Sequence, residues 1–154
     1  MTFFTNDTGA VSRSLQTYGE WAENELGFAK ALMKGGATVV DVGAYIGTHT
    51  LSFAHFAGPE GQVIAIEPQD ESFMLLKKNI LENRLTNVHL EHAAAGVGGA
   101  FYANPLRIAA KKSFGSATVR DFGMPDSPAS RESGEMISVR GLTIVSSAMR
   151  SGCT

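Results

Sequence analysis

Residues 37–50 constrain this chain more tightly than any other stretch: Ala-Thr-Val-Val-Asp-Val-Gly-Ala-Tyr-Ile-Gly-Thr-His-Thr. β-Branched Val39, Val40 and Val42 predict a short strand over Thr38 to Val42, buried on both faces as in a parallel sheet. Gly43 then lets the backbone turn and keeps a Cβ out of a ligand's way. Gly47 allows close packing at the start of a helix, for which Thr48 is the expected N-cap. Backbone N–H groups left free at such a turn favour an electron-rich ligand group.

Two familiar phosphate loops fail on this stretch. A Walker loop needs Gly-x-x-x-x-Gly-Lys-Ser/Thr. Counting back from Gly47 puts Val42 at its first glycine, and no lysine follows. A dinucleotide loop needs Gly-x-Gly-x-x-Gly, but Tyr45 and Thr48 stand where its second and third glycines belong. What remains is Asp-x-Gly-x-x-x-Gly, Asp41 to Gly47, with no phosphate-grasping lysine. That pattern suits a nucleoside carrying an amino-acid tail better than a polyphosphate.

The second motif is Gln62-Val-Ile-Ala-Ile-Glu-Pro68, another buried strand ending in an acid and a proline. An acid at the carboxyl end of the second strand can accept hydrogen bonds from a ribose diol. Glu67 follows Asp41 by 26 residues, the length of a strand, helix, turn and strand. A third strand is predicted over Asn87 to His92. Alternating strands and helices argue for a parallel sheet with right-handed crossovers, with ligands at the carboxyl ends of its strands. On that edge the small residues Ala93 and Ala94 leave room for a flat adenine ring.

These motifs together, Asp-Val-Gly-Ala-x-Ile-Gly, Val-Ile-Ala-x-Glu-Pro, Leu-x-x-Asn, and Asn-Val-x-Leu followed by Ala-Ala-x-Gly, resemble the FkbM-type family of S-adenosylmethionine-dependent methyltransferases. The resemblance covers roughly residues 18–119. It implies an α/β, Rossmann-like parallel sheet with flanking helices, the class I methyltransferase fold. It also implies S-adenosylmethionine as cofactor and methyl transfer to an oxygen of a small molecule or sugar. The expected cofactor contacts are Asp41, Gly43, Ala44, Tyr45, Ile46, Gly47 and Thr48 on the first loop, Glu67 and Pro68 after the second strand, and Ala93 and Ala94 after the third. The family's Tyr-Gly-Glu-like segment ahead of the first domain helix adds Tyr18 and Glu20 as a cover over the cofactor. The plainer reading is that Tyr18 and Trp21 cap the sheet. Asp41 likewise has two readings, orienting the loop and the cofactor's amino-acid tail or capping local N–H groups. Glu67 is assigned to the ribose. No residue is named as catalytic base.

Composition sets the outer bounds. The chain of 154 residues, with 44% apolar and 18% charged residues, is ordinary for one soluble globular domain. Its formal charge of −2 offers no electrostatic reason for a nucleic-acid or acidic-membrane partner. Cys153 is the single cysteine, so no internal disulfide can form. No leader peptide is expected, and no apolar run approaches the ~20 residues of a membrane span. The expected location is therefore the cytoplasm. His49 beside the loop is assigned to packing or capping, with the pocket as the alternative. No histidine has metal-ligand spacing, and no metal is expected.

The chain divides into a flexible lead-in, 1–16, and a partial methyltransferase domain, 17–154. Trp21, Glu25, Ala29 and Leu32 fall at helical spacing ahead of Gly35-Gly36. Further helices are predicted over Thr48 to Ala57 and from Asp70, where two acids meet the positive helix end. After Gly96 the expectations are short strands over Ala100 to Asn104, Gly115 to Val119 and Met136 to Val145. Arg107, Lys111, Lys112 and Arg120 are expected on a solvated loop, and 123–135 as an exposed loop. The family's strand ending in an Asp-Val-Glu-Gly-like motif has no counterpart here. A fragment or a frame-disrupted product is therefore expected, with a catalytically inactive cofactor-binding remnant as the alternative function. An NAD-binding oxidoreductase is disfavoured by Tyr45 and Thr48.

Overall fold

The computed structural model describes residues 1–96 and the strands at 99–103 and 135–141. Two helices lead, α1 (Ala10–Tyr18) and α2 (Glu23–Leu32), followed by β1 (Thr38–Val42), α3 (Thr48–Ala57), β2 (Gln62–Ile66), α4 (Asp70–Glu82) and β3 (Val88–Glu91). Strands β1, β2 and β3 form a parallel sheet in that order, with Val42 opposite Ile66 and Ile66 opposite Glu91. This is the α/β architecture that the alternation predicts. The register brings the carboxyl ends of all three strands to one edge, which is where such sheets hold ligands.

β2 lies between its two neighbours, and its Val63 and Ala65 are wholly buried. Ala65 joins Ala44, Leu76 and Ile80 in the core, with Leu51, Phe73, Leu85, Val88 and Leu90 packed around them. Burial of such side chains is worth about 25 cal/mol per Å2. Leu76 and Ile80 stand four residues apart on α4, so one helix face supplies both. The glycine loop, through Ala44, is thus anchored in the same core as α4.

Three expectations require correction. β1 is not covered on both faces: Val40 and Val42 are 46% and 55% exposed, while Val39 and Asp41 are half-buried. That alternation is the pattern of a strand with one covered face, and α3 packs against β1 and β2. Thr48 is not the N-cap of α3. Gly47 occupies that position in a left-handed conformation, and no side chain caps the helix. The segment 1–16 is not a loose lead-in, because α1 begins at Ala10, Asp7 is 4% exposed and Ser12 is wholly buried. Thr5, Asn6, Thr8 and Gln16 do face water, but Asp7 and Ser12 are buried and hydrogen-bonded.

A second sheet has the order β4 (Ala94–Gly96), β6 (Glu135–Gly141), β5 (Gly99–Ala103). β5 pairs with β6 antiparallel, Gly99 opposite Val139. The strands expected near 100–104 and 136–145 are therefore present with shifted bounds, and Ala94 opens a strand rather than closing a turn. The Gly115–Val119 strand, the basic residues 107, 111, 112 and 120, and Cys153 lie outside the described residues.

Candidate cofactor site

The two sequence motifs meet through one side chain. The Tyr45 N–H donates to Glu67 Oε2 at 2.8 Å, and the Gln69 N–H donates to Oε1 at 2.9 Å. Glu67 is 3% exposed, and burial pushes its carboxyl up from the ordinary 4.5 to about 7. The Gln69 and Tyr45 N–H groups oppose that rise, while the nearby Asp41 charge adds to it. An ionised carboxylate offers about four acceptor positions. The two N–H bonds leave acceptor capacity on both oxygens, which is the chemistry a diol needs.

The loop's own N–H groups behave differently from the expectation. Gly43 and Ala44 both donate to the Ile66 carbonyl, at 2.9 and 3.0 Å, and Gly47 donates to the Ala44 carbonyl at 2.8 Å. With Tyr45 donating to Glu67, four loop N–H groups are satisfied within the chain. The turn is therefore a latch between β1 and β2 rather than a cradle of free donors. Together with the missing lysine, this leaves Gly43, Ala44, Tyr45 and Gly47 with no N–H to offer a phosphate.

The same loop turns through left-handed backbone. Gly43, Tyr45 and Gly47 have φ of 78°, 52° and 93°. A left-handed non-glycine residue costs about 1–2 kcal/mol and persists only where its surroundings hold it. Tyr45 is held at both ends. Its N–H is on Glu67, and its hydroxyl donates to Asp7 Oδ2 at 2.7 Å. Burial and the bond to Asp7 push the phenol above its ordinary range. Next along the loop, the Ile46 carbonyl accepts from Asn79 Nδ2 at 2.8 Å, and Asn79 is wholly buried.

Gly47 itself tolerates no side chain. A Cβ there would lie 2.9 Å from Cδ1 of the wholly buried Leu76, and φ is already left-handed, which strains any side chain whatever the space. Gly47→Ala is expected to lower stability by about 2 kcal/mol, read as a lower urea midpoint at unchanged slope.

The remaining expected residues fall into two groups. Ala93 is beside Glu67: the Glu91 carbonyl accepts both the Glu67 and the Ala93 N–H at 3.1 Å. Pro68 follows on the same edge, half-buried, and Ala94 is the next residue of the chain. Asp41 Oδ2 accepts from the Thr50 hydroxyl at 2.6 Å, a bond neither expectation named. Burial raises its carboxyl, with Thr50 and His49 pulling the other way. Thr48 and Glu20, by contrast, line a cavity of about 170 Å3 shared with Trp21, Leu26, Leu51 and Ser52. Tyr18 is 74% exposed and does not line it. The His49 ring stacks on Phe53 at 5.9 Å, a packing role.

The sequence reading missed Asp7, Thr50 and Asn79 as loop supports. Asn79 was within sight as the last residue of Leu-x-x-Asn, whereas nothing local marks Asp7. Among the described residues, no group of three or more His, Cys, Asp or Glu is placed to hold a metal.

Comparison with known proteins supplies the remaining constraint. A search of curated proteins finds no match. Among solved structures, the chain is similar to an S-adenosylmethionine-dependent O-methyltransferase of Thermotoga maritima, with 19% identity and a TM-score of 0.45 over 54% of this chain and 34% of that one. It is also similar to an S-adenosylmethionine-dependent methyltransferase of Aquifex aeolicus, with 25% identity and a TM-score of 0.41 over 55% and 40%. A third similarity is to fibrillarin of Aeropyrum pernix, solved with bound S-adenosyl-L-methionine, with 18% identity and a TM-score of 0.39 over 47% and 32%. The chain thus spans at most two fifths of the length of these proteins. The model of the methyltransferase FkbM domain matches residues 41–149, well over half of the chain and both motifs of the site. The chain belongs to the FkbM methyltransferase domain family.

Proposed function

We propose that this chain carries the cofactor-binding part of an S-adenosylmethionine-dependent methyltransferase, acting on an oxygen of a small molecule or sugar. One observation carries the reading: the Glu67 carboxylate closing β2 reaches the N–H of Tyr45 in the turn after β1, at 2.8 Å. The two motifs that a shared adenosyl group would need are therefore neighbours. Family membership supports the same assignment, and Tyr45 and Thr48, standing where a dinucleotide loop has glycines, disfavour a nicotinamide cofactor.

In this reading Glu67 accepts the ribose hydroxyls on its remaining acceptor positions. The Gly43–Gly47 turn, latched to β2, presents a fixed wall. Asp41 orients the turn through its bond to Thr50 at the start of α3. Pro68, Ala93 and Ala94 border the adenine, and Thr48 and Glu20, which line one cavity, belong to the cofactor's cover. The sulfonium cofactor supplies an already activated methyl group, so the chain's residues chiefly bind and orient. The net charge of −2 supports a small-molecule rather than a nucleic-acid acceptor. Among the described residues no helix is long and apolar enough to cross a membrane.

Titration of the 154-residue chain with S-adenosylhomocysteine and with NAD tests the assignment. Binding of the first alone is the expected outcome, and binding of NAD alone overturns it. Methyl release to an added acceptor separates an active enzyme from a cofactor-binding remnant. The pH dependence is a sharper check. A diol donates to Glu67, so binding favours the ionised carboxylate, which the free protein reaches only above about pH 7. Affinity for S-adenosylhomocysteine is expected to level off above that pH and to fall about tenfold per unit below it. A flat profile between pH 5 and 8 would remove the ribose from Glu67.

A further inference from the structure

We infer that Asp7 is a positioning residue for the adenosyl site, acting through the hydroxyl of Tyr45; the inference rests on the cofactor reading above. Asp7 lies outside both motifs, 38 residues from its partner in the loop, and is 4% exposed. Its two oxygens collect three donors. Oδ1 accepts the Gly9 N–H at 2.8 Å, and Oδ2 accepts the Ser12 hydroxyl at 2.8 Å and the Tyr45 hydroxyl at 2.7 Å. The Gly9 and Ser12 bonds place Asp7 rigidly at the start of α1. The Tyr45 bond then transmits that placement to the loop.

The consequence follows from Tyr45's backbone. A tyrosine at φ 52° relaxes toward right-handed or extended backbone unless both of its ends are tied. Its hydroxyl is tied to Asp7 and its N–H to Glu67 Oε2. Releasing the hydroxyl lets residue 45 rotate, and rotation takes its N–H away from Glu67. A carboxylate that loses this donor is held only by the Gln69 N–H on Oε1; it can turn about that one contact, which blurs the geometry for two adjacent hydroxyls. The first residues contribute a second tie to the same loop. Thr2 exchanges backbone bonds with the Asn79 side chain, at 2.6 and 2.9 Å, and Asn79 donates to the Ile46 carbonyl. Residues 2–9 therefore act as a strap over the turn, with Asp7 as its working contact.

The test uses Tyr45→Phe and Asp7→Ala in the full chain, with Asn87→Ala as a structural control. Asn87 ties the Ala54 and Gly58 carbonyls at the far end of α3, at 2.9 Å each, so its loss destabilises without touching the loop. Two quantities are measured. One is deuterium exchange of the residue 45 amide without ligand, and the other is affinity for S-adenosylhomocysteine. Tyr45→Phe and Asp7→Ala are expected to speed exchange at residue 45 about tenfold or more and to weaken binding by about the same factor. Asn87→Ala is expected to lower the melting temperature while leaving both quantities unchanged. Asp7→Asn, whose single carbonyl oxygen can still accept from the Tyr45 and Ser12 hydroxyls at the cost of the Gly9 N–H bond, is expected to exchange more slowly at residue 45 than Asp7→Ala. Unchanged exchange in Tyr45→Phe, or an equal effect of Asn87→Ala, overturns the positioning role. If the parent ignores S-adenosylhomocysteine while the exchange pattern holds, the cofactor reading falls and the strap stands.

Discussion

Replacing Glu67 by alanine is expected to weaken S-adenosylhomocysteine binding by about 10- to 150-fold, the ~1.5–3 kcal/mol of hydrogen bonds to a charged group. Calorimetric titration at pH 8, where the parent carboxylate is ionised, measures this directly. Equal affinity in mutant and parent would remove the assignment. The same substitution has a second effect, on the stability of the empty protein. It leaves the buried N–H groups of Tyr45 and Gln69 without their acceptor, at about 1–3 kcal/mol each. It also removes a buried acid whose ionisation the fold disfavours.

The folded carboxyl titrates at about 7, above its ordinary 4.5, so between these values the folded state holds a proton that the unfolded chain has released. The contribution to stability is therefore fully present below about pH 4.5 and is lost as pH rises through 7, by about 3 kcal/mol in all. Glu67→Ala is expected to cost most stability near pH 5 and least near pH 8. A chemical-denaturation series across that range checks it: the parent's Glu67-dependent decline should vanish in the mutant. Binding and stability thus move apart with pH, which distinguishes loss of a ligand contact from loss of fold.

The second large effect is purely structural. Gly61→Ala is expected to destabilise the domain by about 3–5 kcal/mol. A Cβ at this position would lie 2.7 Å from the Ala37 carbonyl oxygen, the Ala57 Cβ and the Ala57 carbonyl oxygen. Two of these three atoms are backbone, so no rotamer change can relieve the overlap. Both oxygens are also in use. Ala37 accepts the Gln62 N–H at 3.0 Å, and Ala57 accepts the Gly36 N–H at 2.9 Å. Making space therefore strains the junction where the end of α3 passes under the entries to β1 and β2. A fall in melting temperature of roughly 10 °C is the readout. Affinity for S-adenosylhomocysteine, measured well below that temperature, should be unchanged. A melting temperature within a degree or two of the parent would show that the junction can yield.

Much of this protein follows from patterns a few residues long. Runs such as Val39-Val40 and Val63-Ile64-Ala65-Ile66 mark strands because β-branched side chains suit a pleated sheet. The glycines and Pro68 mark where those strands must stop. The spacing between Asp41 and Glu67 is enough to infer a crossover, and from it a parallel sheet with one ligand edge. These signals are local, so the chain order carries them whatever the rest does.

What was not legible depends on partners far apart in the chain. Val40 and Val42 look buried by composition, but which face of β1 is covered depends on where α3 packs. Thr48 is a good cap by type, yet the turn geometry gives that position to Gly47. Asp7 sits in a stretch whose serines and threonines suggest solvent, and only folding brings it to Tyr45. The loop's N–H groups look free until β2 is alongside to accept them through Ile66. For Asp7 and the loop, a polar group's role is set by the hydrogen-bond partner that burial supplies. No periodicity in the sequence encodes that partner.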